Sequence, residues 1–551
     1  MTSCGVYMFA GSRRAREADV IVVGSGAAGL TAAILAHDHG ANVAIVERSP
    51  YVGGTSAVSG GGIWIPTNSH MHEVGVADSR DEAFAYCKSL TMERVEHALL
   101  ETFVDTAPTM IRYLEDKTDL RFTALSTPDY HPEVYGARGG GRSLEPVPFD
   151  ARTLGDWQSR IRVPNALSFP VTLQEAFVTY QAFYRPWKVP QDLVVKRMAN
   201  GLVTMGQALV AGLLKAVLDR RIPILLNSRA NALLRDGGRI VGIRSVLNGQ
   251  RVEMRARAVI LASGGFEWNE DLKAKFLSGP IPAPNSPPIN EGDGLLMAME
   301  VGADLANLSE VWHYPSVAIP GETYEGREMV RGIKAERSGP HIIWVNGQGK
   351  RFVNEASSYN AVGKIFFSPD TSLPAYRNLP AWAIFDSQYR AKYVVGTTMP
   401  EDPDPEWLSK AETLEELANK VGIHPDGLAD TVRRWNMFVA EGKDREFGKG
   451  DSAFDRFQGD HEASHPNLGT IERGPFYALP IQPGALGTKG GPRTDCRAQV
   501  LSVRGEPICG LYAAGNVAAS IAGPAYFGVG GTLGPAMTWG YLAGLNAAKE
   551  T

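Results

Sequence analysis

Cysteine is scarce in this 551-residue chain, which has four: Cys4, Cys87, Cys496 and Cys509. None forms a CxxC pair and none stands with histidine at ligand spacing, which excludes a disulfide framework and a structural zinc site. No metal is expected, and a reducing, cytoplasmic setting is. Long apolar runs are missing too. None reaches the roughly 20 residues of a membrane-spanning helix, so any membrane contact would be peripheral. The N-terminal "MTSCGVYMFAGSRRARE" carries Arg13 and Arg14 but no secretion-type apolar segment, and reads as a short irregular extension. The net charge of −5 comes without a basic block, so nucleic acid is not an expected partner.

What the chain does have is glycine, 60 residues gathered into clusters that mark several tight loops. Its 44% apolar and 21% charged residues are those of an ordinary soluble globular protein. The length calls for two domains, one of which can be inserted in the other.

The first cluster lies in "ADVIVVGSGAAGLTAAILAHDHGANVAIVER", which reads as strand, glycine turn, helix, strand. Val20 to Val23 is a β-branched run fit for a buried parallel strand. Gly24, Gly26 and Gly29 form GxGxxG, and the neighbouring Ser25, Ala27 and Ala28 are small. The helix N-terminus offers bare N–H groups and a positive dipole end to a pyrophosphate. Glu47, after the second strand, is placed to accept ribose hydroxyls, with Arg48 beside it. GxGxxG alone is weak, but here the strand, helix and acid all stand at the required spacing.

A second cluster follows at once in "ERSPYVGGTSAVSGGGIWIPTN": Gly53, Gly54, Thr55, Ser56, Ser59, Gly60, Gly61 and Gly62. A nicotinamide enzyme needs no such loop directly after the ribose acid. A flavin enzyme does, because the chain must return along the pyrophosphate to the isoalloxazine. This segment resembles the fumarate reductase and 3-ketosteroid dehydrogenase superfamily of flavoproteins. The resemblance implies further FAD contacts from Ala262, Ser263 and Gly264 after an apolar strand, and from Asp293 at the opening of a helix. It also implies contacts from Gly515 and Asn516 in "GLYAAGNVAAS", and from Thr532 and Leu533 near the C-terminus. The fold expected is α/β: a Rossmann-type FAD-binding domain built from both chain ends (1–298, with an irregular excursion at about 120–200, and 488–551). An α+β substrate domain is inserted at 299–487. In that insert "GQGKRFVNEASSYN" predicts strand, turn, strand, with Ile342 to Val345 and Arg351 to Val353 as the strands. The histidine that tethers flavin in fumarate reductase relatives has no counterpart in "GGTSAVSGG", so the FAD is expected to be non-covalent.

"DYHPE", "RFVNEASSY", "GTKGG" and "AYFGVGGTLGPAMTWGYLAG" together look like bacterial 3-ketosteroid Δ1-dehydrogenases, in order and from Asp19 onward. The resemblance carries family site residues onto Tyr130, Tyr359, Tyr526 and Gly530. It implies removal of two hydrogens from ring A of a 3-oxosteroid, with a further, unidentified electron acceptor. Such a reaction removes a proton beside a carbonyl and a hydride from the next carbon. A hydroxyl (Tyr526) and a backbone N–H (Gly530) aimed at the carbonyl oxygen would stabilise the enolate. Tyr359 would be the base and Tyr130 its hydrogen-bond partner. Taken singly, a glycine loop before a helix is most often a plain turn, and one tyrosine among 18 is most often a packing residue.

One departure stands out: Phe527 occupies the place where family members commonly have proline, and is expected to put an aromatic ring at or near the pocket. Two other readings stay open, the same desaturation on a smaller cyclohexanone-type ketone and a fumarate- or enoate-type reductase. No motif matches the arginine and histidines that clamp a dicarboxylate, although Arg337, His341 and Arg351 lie in the relevant region. A flavin-binding protein without turnover would require the tyrosines to be dispensable.

Overall fold

The computed structural model describes residues 18–164, 169–282 and 284–550. The N-terminal extension, with Cys4, Arg13 and Arg14, lies outside them.

A six-stranded sheet organises one half of the molecule. Its strands are β1 (Val20–Val23), β2 (Val43–Val46), β3 (Ile224–Leu225), β4 (Ala258–Leu261), β5 (Gln499–Leu501) and β6 (Pro507–Ala513), in the order β5-β6-β4-β1-β2-β3. All neighbours are parallel except β5 on β6. The two strands at the centre, β4 and β1, come from sequence positions more than 200 residues apart, and β6 comes from the far end of the chain. This is the α/β architecture expected.

The unbroken apolar run of β1 follows from burial on both faces. Val20 and Val22 point into a core with helices α1 (Ala27–Asp38) and α2 (Leu533–Ala548), while Ile21 and Val23 point into a second core shared with Ile240, Ile243 and Met254. The two helices pack backbone to backbone: a Cβ on Gly540 would fall 2.4 Å from the Ala28 carbonyl oxygen. The turn between β1 and α1 is as tight. Gly24 has φ +109°, and a Cβ there would meet the Ala262 carbonyl oxygen at 2.3 Å.

A separate antiparallel sheet, in the order Ile342–Asn346, Ala381–Asp386, Phe476–Ile481, Ser409–Ala411, carries its own cores on its two faces. Along its first strand Ile342 and Trp344 enter one core and Ile343 and Val345 the other. The expected hairpin partner is corrected here: Arg351 to Val353 is not a strand, and Ile342–Asn346 pairs with Ala381–Asp386 instead. The reason is electrostatic. The Arg351 guanidinium is buried between the carboxylates of Glu355 and Asp444, and that network holds the chain after the turn. The parallel sheet ends its strands toward a cleft facing this second unit, where open α/β sheets bind ligands.

Candidate active site

The cleft is a cavity of about 600 Å³. Its lining at one end is glycine-rich: Gly24, Ser25, Gly26, Ala27 and Ala28; Glu47 and Arg48; Gly54, Thr55 and Ser56; then Ser59, Gly60, Gly61 and Gly62. Ala262, Ser263, Gly264, Asp293, Gly515, Asn516, Thr532 and Leu533 join them. The sequence-derived cofactor residues thus converge from the whole length of the chain. Gly29 and Gly53 alone stand behind the lining. A Cβ on Gly29 would meet the Gly24 carbonyl oxygen at 2.1 Å, so that glycine serves the helix–strand packing.

Local hydrogen bonds explain the shape of this end. Gly26 has no side chain to cap α1 and the Ser56 hydroxyl accepts only its first N–H, that of Ala27, at 3.0 Å, so the following N–H groups at the positive end of the helix dipole are left to a ligand. The Glu47 carboxylate accepts from the Ser25 N–H at 3.0 Å, the Ser25 hydroxyl at 2.6 Å and the Ser49 N–H at 2.9 Å. It therefore fixes the glycine turn as well as facing the cavity. Arg48 is committed to Glu291 at 2.7 Å and Asp293 at 3.2 Å, and Asp293 also receives Arg229 at 2.9 Å.

At the other end three phenols meet. Tyr130 donates to the Tyr359 hydroxyl at 2.8 Å, and the Tyr526 ring lies 5.1 Å from the first and 5.4 Å from the second, centre to centre. They arrive from three distant segments that the fold stitches together. Asp129, buried, accepts from Trp64 Nε1 at 2.7 Å and Arg142 at 2.8 Å, fixing the loop that presents Tyr130. The Tyr130 N–H in turn donates to the Phe527 carbonyl oxygen at 3.2 Å. Tyr359 opens the helix Tyr359–Lys364. Lys489, from "GTKGG", donates to the Ala525 carbonyl oxygen at 2.7 Å and lies 4.2 Å from the centre of the Trp312 ring, which packs on Tyr526.

Two donors come from residues of the cavity lining. The Tyr526 oxygen accepts from the Thr532 hydroxyl at 3.1 Å, which leaves its own proton to give. Gly530 has φ +88°, and a Cβ there would fall 2.3 Å from the Ile63 nitrogen, so only glycine fits. Its carbonyl is taken by the Trp64 N–H at 3.0 Å, whereas its N–H has no acceptor among the described residues. Burial pushes the Tyr130 and Tyr359 phenols well above the ordinary value and raises Tyr526 as well.

Phe527 does not reach the cavity. Its ring turns into the core against Trp64 (5.2 Å) and Phe103 (6.3 Å), while the Tyr526 next to it lines the cavity. The aromatic ring expected at or near the pocket therefore stands behind the lining, because Trp64 and Phe103 give it an apolar core to pack against. The apolar walls come instead from Leu173, Phe177, Phe183, Val330 and Leu486, together with Tyr314, which packs on Tyr359 at 4.8 Å. Sequence reading missed these; the aromatic run "VWHYP" was the signal for Tyr314. Of the residues that a dicarboxylate clamp would need, Arg351 is consumed by its acids. His341 is held by the Thr470 carbonyl oxygen at 2.7 Å, away from the cavity lining.

The residues present fit a flavin dinucleotide. A helix end with N–H groups left open, an acid at the second strand, and the Ser263–Gly264 turn all line one cavity. Fold and site together define a flavin-dependent oxidoreductase. The family model for the FAD binding domain matches residues 19–533. The chain is 40% identical to the 4-oxocyclohexanecarboxylate 2-dehydrogenase of Sinomonas cyclohexanicum, over 97% of this chain and 93% of that one. It is 39% identical to the 3-oxosteroid 1-dehydrogenase of Mycolicibacterium smegmatis, over 97% of both. The solved 3-ketosteroid Δ1-dehydrogenase of Sterolibacterium denitrificans, in complex with 1,4-androstadiene-3,17-dione, superposes with a TM-score of 0.91 at 38% identity, covering 97% of this chain and all of that one. The chain belongs to the 3-oxosteroid 1-dehydrogenase family of FAD-binding-domain flavoproteins. Among the described residues, no helix is long and apolar enough to cross a membrane.

Proposed function

We propose that this protein introduces the 1,2 double bond into ring A of a 3-oxosteroid. The observation that carries the reading is the pair of cavity-facing donors, the Tyr526 hydroxyl and the free Gly530 N–H, beside the hydrogen-bonded Tyr130–Tyr359 pair. When bound, FAD supplies the hydride acceptor. The cofactor residues would be those of the glycine-rich end, with Gly26 to Ala28 at the pyrophosphate and Glu47 at the ribose. The described lining contains no histidine or cysteine, which supports a non-covalent flavin.

The chain's own work is proton chemistry. Tyr526 and Gly530 hold the ketone oxygen and stabilise the negative charge that grows there as the neighbouring C–H is broken. Tyr359, as phenolate, takes that proton and becomes the neutral phenol. Tyr130 donates to the Tyr359 oxygen and so favours its charged form. The aromatic and aliphatic walls exclude water and match a flat apolar ring system.

A smaller ring ketone remains a second reading, favoured by the oxocyclohexanecarboxylate relative. Anaerobic mixing with ring-A-saturated 3-oxosteroids, against 4-oxocyclohexanecarboxylate, tests both: flavin bleaching by the steroid alone supports the first, by the carboxylate alone the second. The cytoplasm is the setting we propose, supported by the free thiols of Cys87, Cys496 and Cys509. The acceptor that reoxidises the flavin is a separate molecule.

A further inference from the structure

Arg337 is buried to within 1% of its surface, yet among the described residues no carboxylate pairs with it. One end of its guanidinium, Nη1, donates to three successive backbone carbonyls, those of Glu355, Ala356 and Ser357, just ahead of Tyr359. Its Nε has no partner. Its central carbon lies 5.9 Å from the centre of the Tyr359 ring, and the residue is not part of the cavity lining. A buried cation is ordinarily matched by a buried acid, because an unmatched one is expensive. Here the nearby acid is Asp455, which acts on Arg337 through its charge but makes no ion pair with it.

We propose that Arg337 is a positioning residue whose charge, bonded by no carboxylate, stabilises the phenolate form of Tyr359. The inference rests on the reading of Tyr359 as the base. It resolves a difficulty in that reading: burial first, and then the Tyr130 and Tyr526 hydroxyls beside it, drive this phenol away from ionisation. A guanidinium over the face of a ring is attracted by its electrons, and more so when the ring carries the negative charge of a phenolate. The groups that face the pair are few. Tyr130, Tyr314 and Tyr526 surround Tyr359. Around Arg337 stand Tyr130, Tyr184, Tyr314, Asp455 and Lys334. Asn354 at 2.8 Å and the Gly450 N–H at 3.0 Å both bond Oδ2 of Asp455, whose Oδ1 is buried and unpartnered; this acid offsets part of the Arg337 charge without bonding it, and Lys334 rests on the faces of Phe177 and Phe183. Unit charges about 6 Å apart at an effective dielectric of about 20 shift a titration by about two pH units.

The test follows exchange of the ketone's α-hydrogen for deuterium by the holoenzyme with its flavin already reduced, so that no hydride leaves. Arg337→Ala should lose about 100-fold at neutral pH, corresponding to that two-unit shift. Guanidinium in the buffer should restore at least about tenfold of it. Urea should not: it has nearly the same shape and can bond the same three carbonyls, but carries no charge. Restoration by urea as large as by guanidinium overturns the proposal, since the role would then be to tie the loop. Should the alanine variant lose its flavin, Arg337→Gln decides: its exchange profile should bend about two pH units higher than that of the wild type, and an unmoved bend overturns the proposal. Tyr359→Phe separates the two readings. If it still exchanges at the wild-type rate the base is wrong, whatever Arg337 does.

Discussion

Replacing Tyr526 by phenylalanine removes one oxygen and leaves the packing. The ring is wedged among Trp312 (4.8 Å), Tyr130 (5.1 Å) and Tyr359 (5.4 Å), all contacts of the ring faces and edges rather than of the hydroxyl. Among the described residues the hydroxyl gives up the Thr532 hydroxyl donated at 3.1 Å and its contact with the Tyr359 hydroxyl, a net loss of about 1 kcal/mol of stability for each. The loop keeps its other supports: Lys489 on the Ala525 carbonyl at 2.7 Å and Tyr86 on the Phe527 carbonyl at 2.7 Å. Folding and flavin binding should therefore be almost unchanged. Catalysis should not. The ketone oxygen gains most of its negative charge after binding, so the missing donor weakens the transition state more than the bound ground state. Loss of one such donor costs about 10²–10³-fold, or about 2.7–4 kcal/mol. Gly530 still supplies the other, which keeps the residual rate above background. The assay is anaerobic stopped-flow flavin reduction by a ring-A-saturated 3-oxosteroid, with the dissociation constant obtained from the concentration dependence. The expected result is a fall in the limiting reduction rate of that size with the dissociation constant moved only a few-fold. A limiting rate within about threefold of wild type would refute the enolate-stabilising role of this hydroxyl.

Tyr359→Phe should abolish α-hydrogen exchange while the ketone still binds, as measured by the perturbation of the flavin spectrum. Gly530→Ala should fail more severely than Tyr526→Phe, because its methyl would be driven into the Ile63 backbone at 2.3 Å from a φ of +88°; flavin content and melting temperature should both drop. Glu47→Ala should release FAD at low cofactor concentration, since the carboxylate both faces the ribose position and holds Ser25 by two bonds, each worth about 1–3 kcal/mol when left unsatisfied; full occupancy after dialysis would contradict this. Acid precipitation should leave yellow FAD in the supernatant, and flavin in the pellet would show a covalent link. As Tyr359 must lose its proton to act and burial raises its pKa, the reduction rate should climb with pH through neutrality; a rate that falls instead would point to a protonated catalyst.

The local signals in this chain were strong where the chemistry is local. GxGxxG requires that strand, turn, helix and acid follow one another, and they do so within thirty residues, so the flavin end was legible from Val20 to Glu47. The glycines at 53–62 and 528–531 were legible for the same reason, since close backbone approach leaves its mark in residue type. Long-range contacts leave no such mark. That Ile342–Asn346 pairs with Ala381–Asp386, that Phe527 turns into the core and Tyr526 out of it, and that Tyr314 and five apolar side chains complete the walls are matters of register and packing. So is Arg337: its residue type is ordinary, and only folding strips it of water, leaves it without an ion pair and sets it over Tyr359. The sequence by itself determined which groups could bind a dinucleotide and ionise. The tertiary structure decided which of them face each other in low dielectric, where a charge or a bare N–H acquires its chemical force.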